Sequence, residues 1–288
     1  MRAAHPRSAT VRRQKSGALL LAACVAVCFV QAARAQTGPP AALKFDDFGD
    51  VYPTDAAARL DNFANALQER PATRGFIIVY RSHRDLPGLS SRHLNWMRRY
   101  LIKSRGLPAE RVVGVDGGEA SCLAHEFWIV QPGAAPKPRD DAYARSLDDN
   151  DSARKFDEYY YSTPNELDSY STEYESGVEG FAEALRKEPR AQAYMIAYEG
   201  YRVEREEEEG GRGRKKTTRR VVIDPPGTAL RELRQGRDAL VKGHGIAAAR
   251  VKLVRGGYRK WRQLELWIVP PGEHAPVPTP NAFPKGRR

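Results

Sequence analysis

Apolar residues along this chain switch between two spacings, and the switching runs through the sequence twice. Leu43 to Phe48, "LKFDDF", alternates like a short half-buried strand. Leu60, Phe63 and Leu67 then recur at i, i+3 and i+7, one face of a helix that Thr54 can cap and Pro71 follows. "GFIIVY" (Gly75 to Tyr80) is a short β-branched and aromatic run, the signature of a buried strand. A second helix places Leu94, Met97 and Leu101 inward, with Ser90 or Ser91 as its cap and Gly106 as its end. "RVVGV" and "EFWIV" are two further strands, the last closed by Pro132-Gly133 because proline cannot donate to a ladder. The predicted order is β-α-β-α-β-β, two helices against one sheet, an α/β (α+β two-layer sandwich) unit.

The same order returns. "EFWIVQPG" (Glu126 to Gly133) is echoed by "ELWIVPPG" (Glu265 to Gly272), with Trp128 and Trp267 139 positions apart. At that offset Leu101 to Gly118 matches Leu240 to Gly257, and Arg111 falls on Arg250. Upstream the offset is 118, pairing Phe63–Tyr80 with Phe181–Tyr198, and at the front it is 111, pairing "KFDDF" at Lys44 with "KFDEY" at Lys155. The chain therefore reads as two tandem copies of one unit, over 42–133 and 155–272. The second copy carries two insertions, one of seven residues before its first helix and one of 21 between Tyr198 and Thr228. Its first helix opens on a capping box, Thr172 with Glu175, and shows Tyr174, Val178, Phe181 and Leu185 as its stripe. Each Trp is expected to pack in a core, since both faces of its strand are apolar.

Between the copies, 134–154 reads as a solvated linker, and 273–288 as an extended Pro-rich basic tail. Asp148, Asp149 and Asp151 lack the turn glycine and closing glutamate of a calcium loop. The charged insertion, about 202–222, runs from Glu206–Glu209 through Gly210-Gly211 to Arg212, Arg214, Lys215 and Lys216. Opposed charges allow a hairpin, but the shortage of apolar anchors favours a mobile polar loop.

Composition changes the picture mainly at the N-terminus. Residues 1–35 combine a basic start, an apolar run from Ala18 to Val30 and Ala33-Arg34-Ala35, the pattern of a signal peptide cut after Ala35. Leu21-Ala22-Ala23-Cys24 is a competing lipobox that would leave Cys24 lipidated; the apolar run continuing past Cys24 favours simple export. The run is too short for the roughly 20 residues of a spanning helix. The net charge of +11 comes from 47 basic and 36 acidic residues, but residues 1–35 hold six of the basic ones and no acid. Removing them leaves 41 against 36, a balance of +5 that makes no argument for nucleic acid. The exported chain, periplasmic or secreted, keeps only Cys122, so no internal disulfide supports it. Cys122 is expected as a small buried side chain.

Gly88 to Val112, "GLSSRHLNWMRRYLIKSRGLPAERV", resembles the long second helix and following turn of the OmpA-like C-terminal domain family, envelope modules that hold peptidoglycan. The resemblance implies export, a non-enzymatic binding or scaffolding role, no cofactor, and peptidoglycan or an envelope protein as partner. It also implies a carboxylate after the second strand and a guanidinium in the first turn of the second helix, to hold a zwitterionic peptide stem. Those positions fall on His83 and on His93, with Arg92 beside it; copy two has Tyr201 and Glu232 there. Two histidines at neutral pH supply neither charge, so His83, Arg92 and His93 are candidate binding residues for a ligand the family pattern does not name. A metal reading would join His83, His93 and His125 with Cys122, though their spacing matches no zinc motif. The insertion and the tail offer a protein-interaction alternative. No phosphate loop, serine elbow or Cys/His pair argues for an enzyme.

Overall fold

The computed structural model describes residues 41–137, 139–142, 152–161, 171–210 and 214–282. The segments read as a signal peptide and as a competing lipobox, the acidic run at 148–151, the insertion's residues 211–213 and the tail beyond 282 lie outside the described residues.

Copy one comprises β1 (Ala42–Phe48), α1 (Pro53–Gln68), β2 (Arg74–Ser82), α2 (Gly88–Arg99), β3 (Val112–Ala120) and β4 (Ala124–Val130). Copy two comprises β5 (Arg154–Tyr161), α3 (Ser171–Lys187), β6 (Gln192–Gly210), β7 (Arg214–Ile223), α4 (Thr228–Asp238), β8 (Val251–Arg259) and β9 (Arg262–Val269). The first sheet runs β1-β4-β2-β3, and the second β5-β9-β6 with β8 on the far side of β6. In each, the last strand lies antiparallel between two neighbours, which is why "EFWIV" and "ELWIV" are buried along almost their whole length. The fold is thus a mixed α/β fold, with two sheets and four helices among the described residues.

One face of each sheet carries the helices. Leu60, Phe63, Leu67, Met97 and Leu101 meet Ile77, Val79, Phe127 and Ile129 in copy one, and Phe181, Leu185, Leu233 and Leu240 meet Met195, Leu264 and Leu266 in copy two. α2 and α4 each widen into a π-helical turn and end on a left-handed glycine, Gly106 (φ 68°) and Gly245 (φ 71°). The repeated arginine now has a reason. Arg111 donates to the carbonyls of Leu67, Arg70 and Thr73, and Arg250 to those of Leu185, Glu188 and Ala191. Each ties up the orphan carbonyls where the copy's first helix ends.

The two tryptophans lie on the other sheet face, around a buried carboxylate. Glu126 accepts from Lys44 (2.6 Å) and Trp128 (2.9 Å), and Glu265 from Lys155 (2.9 Å) and Trp267 (3.0 Å). Burial works against the charge of Glu265, but the Lys155 and Trp267 hydrogen bonds and the Lys155 and Arg259 charges hold its carboxyl below the ordinary range. The cluster's tyrosine, Tyr80 or Tyr198, receives a backbone N–H from beyond the last strand, from Arg139 (3.4 Å) or Thr279 (3.1 Å). Those donors end "PKPR" (Pro136 to Arg139) and "PVPT" (Pro276 to Thr279), 140 positions apart. The start of the linker and the start of the tail are therefore one repeated strap over the outer face, with Ala134 and Ala142 packed on the copy-one cluster.

Several local expectations are corrected. α1 starts at Pro53, whose fixed φ suits the first helical position, so Thr54 lies inside the helix. α2 starts at Gly88, and Ser90 donates back to the Pro87 carbonyl instead of capping. α3 starts at Ser171, which places Thr172 in its first turn; Glu175 pairs with Arg99. The alternation of β1 and β5 is broken by a bulge at Phe45 and at Phe156. The insertion forms a hairpin and not a mobile loop: β6 and β7 pair from Tyr201 opposite Ile223 to Gly210 opposite Arg214, with Glu208 opposite Lys216 and Glu209 opposite Lys215. Backbone pairing takes the place of the missing apolar anchors. Cys122 is exposed, in the turn between β3 and β4.

Candidate functional site

The copies meet where α2 of copy one lies against α3 and β5 of copy two. Small residues permit the approach: a Cβ on Gly180 would stand 2.5 Å from the Ser91 side chain, and one on Gly88 would stand 2.6 Å from Asp157. Asn95 donates to the Ser176 carbonyl at 3.1 Å, and Arg99 pairs with Glu175 and Glu179. Arg92 crosses the same seam. Its guanidinium lies 5.2 Å from the centre of the Tyr159 ring and 3.8 Å from the carboxylate of buried Asp157, which also accepts from Tyr159 at 2.8 Å.

Copy one holds this arrangement within itself. Asp46 and Phe48, the counterparts of Asp157 and Tyr159, are held by Arg59 of α1, at 2.7 Å and 4.9 Å. In copy two the Arg59 position is Gly177, where a Cβ would overlap the Tyr159 hydroxyl at 1.5 Å. The glycine admits the hydroxyl, and the missing arginine is supplied by the other copy.

Behind Arg92, between the start of α1, the first turns of α2 and the start of β4, lies a pocket of about 280 Å³. Phe48, Val51, Pro53 and Ala56 form one wall and Trp96 and Met97 another; Asp50, Arg92, His93 and His125 supply the polar groups. β4 turns His125 inward, 2 % exposed, where its ring stacks on Phe48 at 4.8 Å. His93, one turn into α2, comes within 2.8 Å of it, Nδ1 to Nε2. The rings are tilted by only 9°, and near-parallel planes cannot stand farther apart than the shortest contact joining them. They are therefore side by side, linked edge to edge and not stacked. Burial, then the His125 and Arg92 charges, pushes His93 down to about 3, and burial also lowers His125. Both imidazoles are neutral at pH 7.

The four residues of the metal reading do not converge. His93 and His125 meet, His83 is exposed in the turn after β2 and does not line the pocket, and Cys122 is exposed elsewhere. Among the described residues no group of three or more His, Cys, Asp or Glu side chains is arranged to hold a metal ion. Of the three candidate binding residues, Arg92 and His93 share the pocket.

The sequence reading missed the apolar walls, although the alignment of the copies carried the signal. The counterpart of Ala56 is Tyr174, and that of Met97 is Gly236. Tyr174 packs edge-on against Tyr159 at 5.5 Å, and its hydroxyl sits 2.5 Å from where a Cβ on Gly236 would be. Copy two thus fills the volume that copy one leaves open. Leu264 replaces His125, and Glu232 replaces His93 and pairs with buried Arg262 at 2.9 Å. Burial, against the Arg262 charge and with the Asp224 and Glu199 charges, pushes Glu232 up to about 7.

In comparison with known proteins, the sequence matches no protein-family model and no curated protein.

Proposed function

We propose that this chain is an exported, non-enzymatic binding and scaffolding protein of the cell envelope, with its ligand site in copy one and copy two as its rigid support. One observation carries the reading: of two aligned pockets one is open and the other is filled by Tyr174, and Arg92, which lines the open one, is held by Asp157 and Tyr159 of the filled copy. The likeness of Gly88–Val112 to OmpA-like domains and the signal-like N-terminus support the envelope as the place of action. The open pocket keeps an arginine but has exchanged the family's other charge for neutral histidines, which supports a wall ligand other than a zwitterionic stem. Co-sedimentation of the full chain with purified peptidoglycan tests it. Retention at low salt is expected, and a protein that stays in the supernatant overturns the wall as partner.

A second reading rests on the charged hairpin of β6 and β7, which projects past the sheet pairing and presents acidic and basic strands side by side. Replacing residues 203–221 by a short glycine turn is then expected to abolish binding to an envelope protein while leaving thermal unfolding nearly unchanged. A large loss of stability would make the hairpin part of the fold instead.

A further inference from the structure

The copy-one pocket does more than leave room; its hydrogen-bond chain has a direction. His125 Nδ1 lies 3.2 Å from the Gly49 carbonyl. A carbonyl only accepts, so Nδ1 carries the proton, and neutral His125 has a bare Nε2. That Nε2 meets His93 Nδ1 at 2.8 Å, so the second proton lies on His93 Nδ1. His93 Nε2 is then a bare lone pair, and it pairs with no described residue. One backbone carbonyl thus fixes two tautomers and leaves the imidazole pair one bare acceptor, in a pocket whose other acceptor side chain is the exposed carboxylate of Asp50.

We propose that this pocket binds a small, uncharged, ring-sized group that presents one hydrogen-bond donor, a hydroxyl or an amide N–H, to His93 Nε2. The inference rests on the reading of copy one as the open, ligand-binding copy. The size follows from the volume of about 280 Å³, against the roughly 150 Å³ that suffices for benzene. The apolar character follows from Phe48, Val51, Ala56, Trp96 and Met97. An anion is disfavoured because its lone pairs would face the bare nitrogen, while Arg92 is already committed to Asp157 and Tyr159. A cation is disfavoured by desolvation beside that guanidinium, and the one carboxylate of the lining, Asp50, is exposed, so solvent screens its attraction.

Phenol and toluene, nearly the same in shape, separate the donor from the ring. Titrated calorimetrically into the full chain, phenol is expected to bind at one site about tenfold more tightly than toluene, the worth of one buried hydrogen bond. His93→Leu should abolish or reverse that preference. The double variant Ala56→Tyr/Met97→Gly, which copies the filling seen in copy two, should bind neither compound and remain folded. Equal or tighter binding of toluene to the unaltered chain, or binding of neither, overturns the proposal. If His93→Leu fails to fold, the unaltered chain and the double variant still decide it. The peptidoglycan assay stands apart: phenol selectivity without wall retention would remove the wall reading and keep the pocket, and retention without selectivity would do the opposite.

Discussion

The two copies share what holds them together and differ where one of them is open. Arg111 and Arg250 close the same helix end, Glu126 and Glu265 gather the same lysine and tryptophan, and the two straps reach the same tyrosine. Ala56, Met97, His93 and His125 of copy one stand where copy two has Tyr174, Gly236, Glu232 and Leu264, and all four line one pocket. Duplicated chemistry is scaffold, and the unduplicated positions are where a binding role can reside.

The sharpest way to break this comparison is to open copy two. Tyr174→Ala would leave a cavity that Gly236 cannot fill, and a loss of about 4 kcal/mol is expected in chemical denaturation. The matching change in copy one is already the natural state. A loss below about 1 kcal/mol would show that Tyr174 is not packed as described, and the filled-versus-open contrast would fall.

Next in size is the arginine that changes copies. Arg92→Ala removes the cation facing Asp157, a residue 1 % exposed whose carboxyl is raised by burial and held down by the Arg92 charge. A loss of about 3 kcal/mol is expected. Arg59→Ala, at the half-exposed pair within copy one, should cost only about 1 kcal/mol. Equal effects would mean that the seam does not depend on the crossing contact.

The copies also carry opposite responses to acid. The folded pKa of His93 lies below its unfolded value of 6.5, so the unfolded chain takes up protons first, and stability falls as pH drops below 6.5 toward 3. Glu232 has a folded pKa of about 7 against 4.5, so its stabilisation is full below 4.5 and is lost as pH rises to 7. Each effect amounts to about 3 kcal/mol between pH 4.5 and neutrality, and the two oppose each other over 4.5–6.5. Glu232→Gln should therefore expose a loss of stability on acidification. His93→Leu/His125→Leu should expose a gain. Urea midpoints between pH 4.5 and 7 check both, and slopes of the same sign in the two variants would refute the contrast.

Much of this architecture was legible because repetition filters noise. Leu60, Phe63 and Leu67 are convincing as a buried stripe partly because Val178, Phe181 and Leu185 repeat them. Helix starts were not legible: Pro53 and Gly88 begin helices without side-chain caps, and Thr54 and Ser90 drew attention by type alone. The straps escaped because the offset slips from 139 to 140 just past Pro-Gly, where the motifs had ended. The hairpin escaped because its stability lies in strand pairing that composition does not record. Of the site, Arg92 and His93 were found by position, and His125 was named only in the metal reading, of whose members the fold brings it to His93 alone. His83 was drawn in by spacing that the turn after β2 does not honour.

The smallest effect probes how well copy two is filled. The Tyr174 hydroxyl is buried with no hydrogen-bond partner among the described residues, and burial with the nearby Glu232 charge raises its pKa. A packed ring stabilises, but a desolvated hydroxyl without a partner costs free energy. Tyr174→Phe keeps the ring against Tyr159 and removes that cost, so a gain of about 1 kcal/mol is expected where Tyr174→Ala loses about 4. A loss on Tyr174→Phe would show that the hydroxyl has a partner, with Glu232, whose charge acts on it, the candidate. The pocket of copy two would then be closed by a polar contact and not by packing alone.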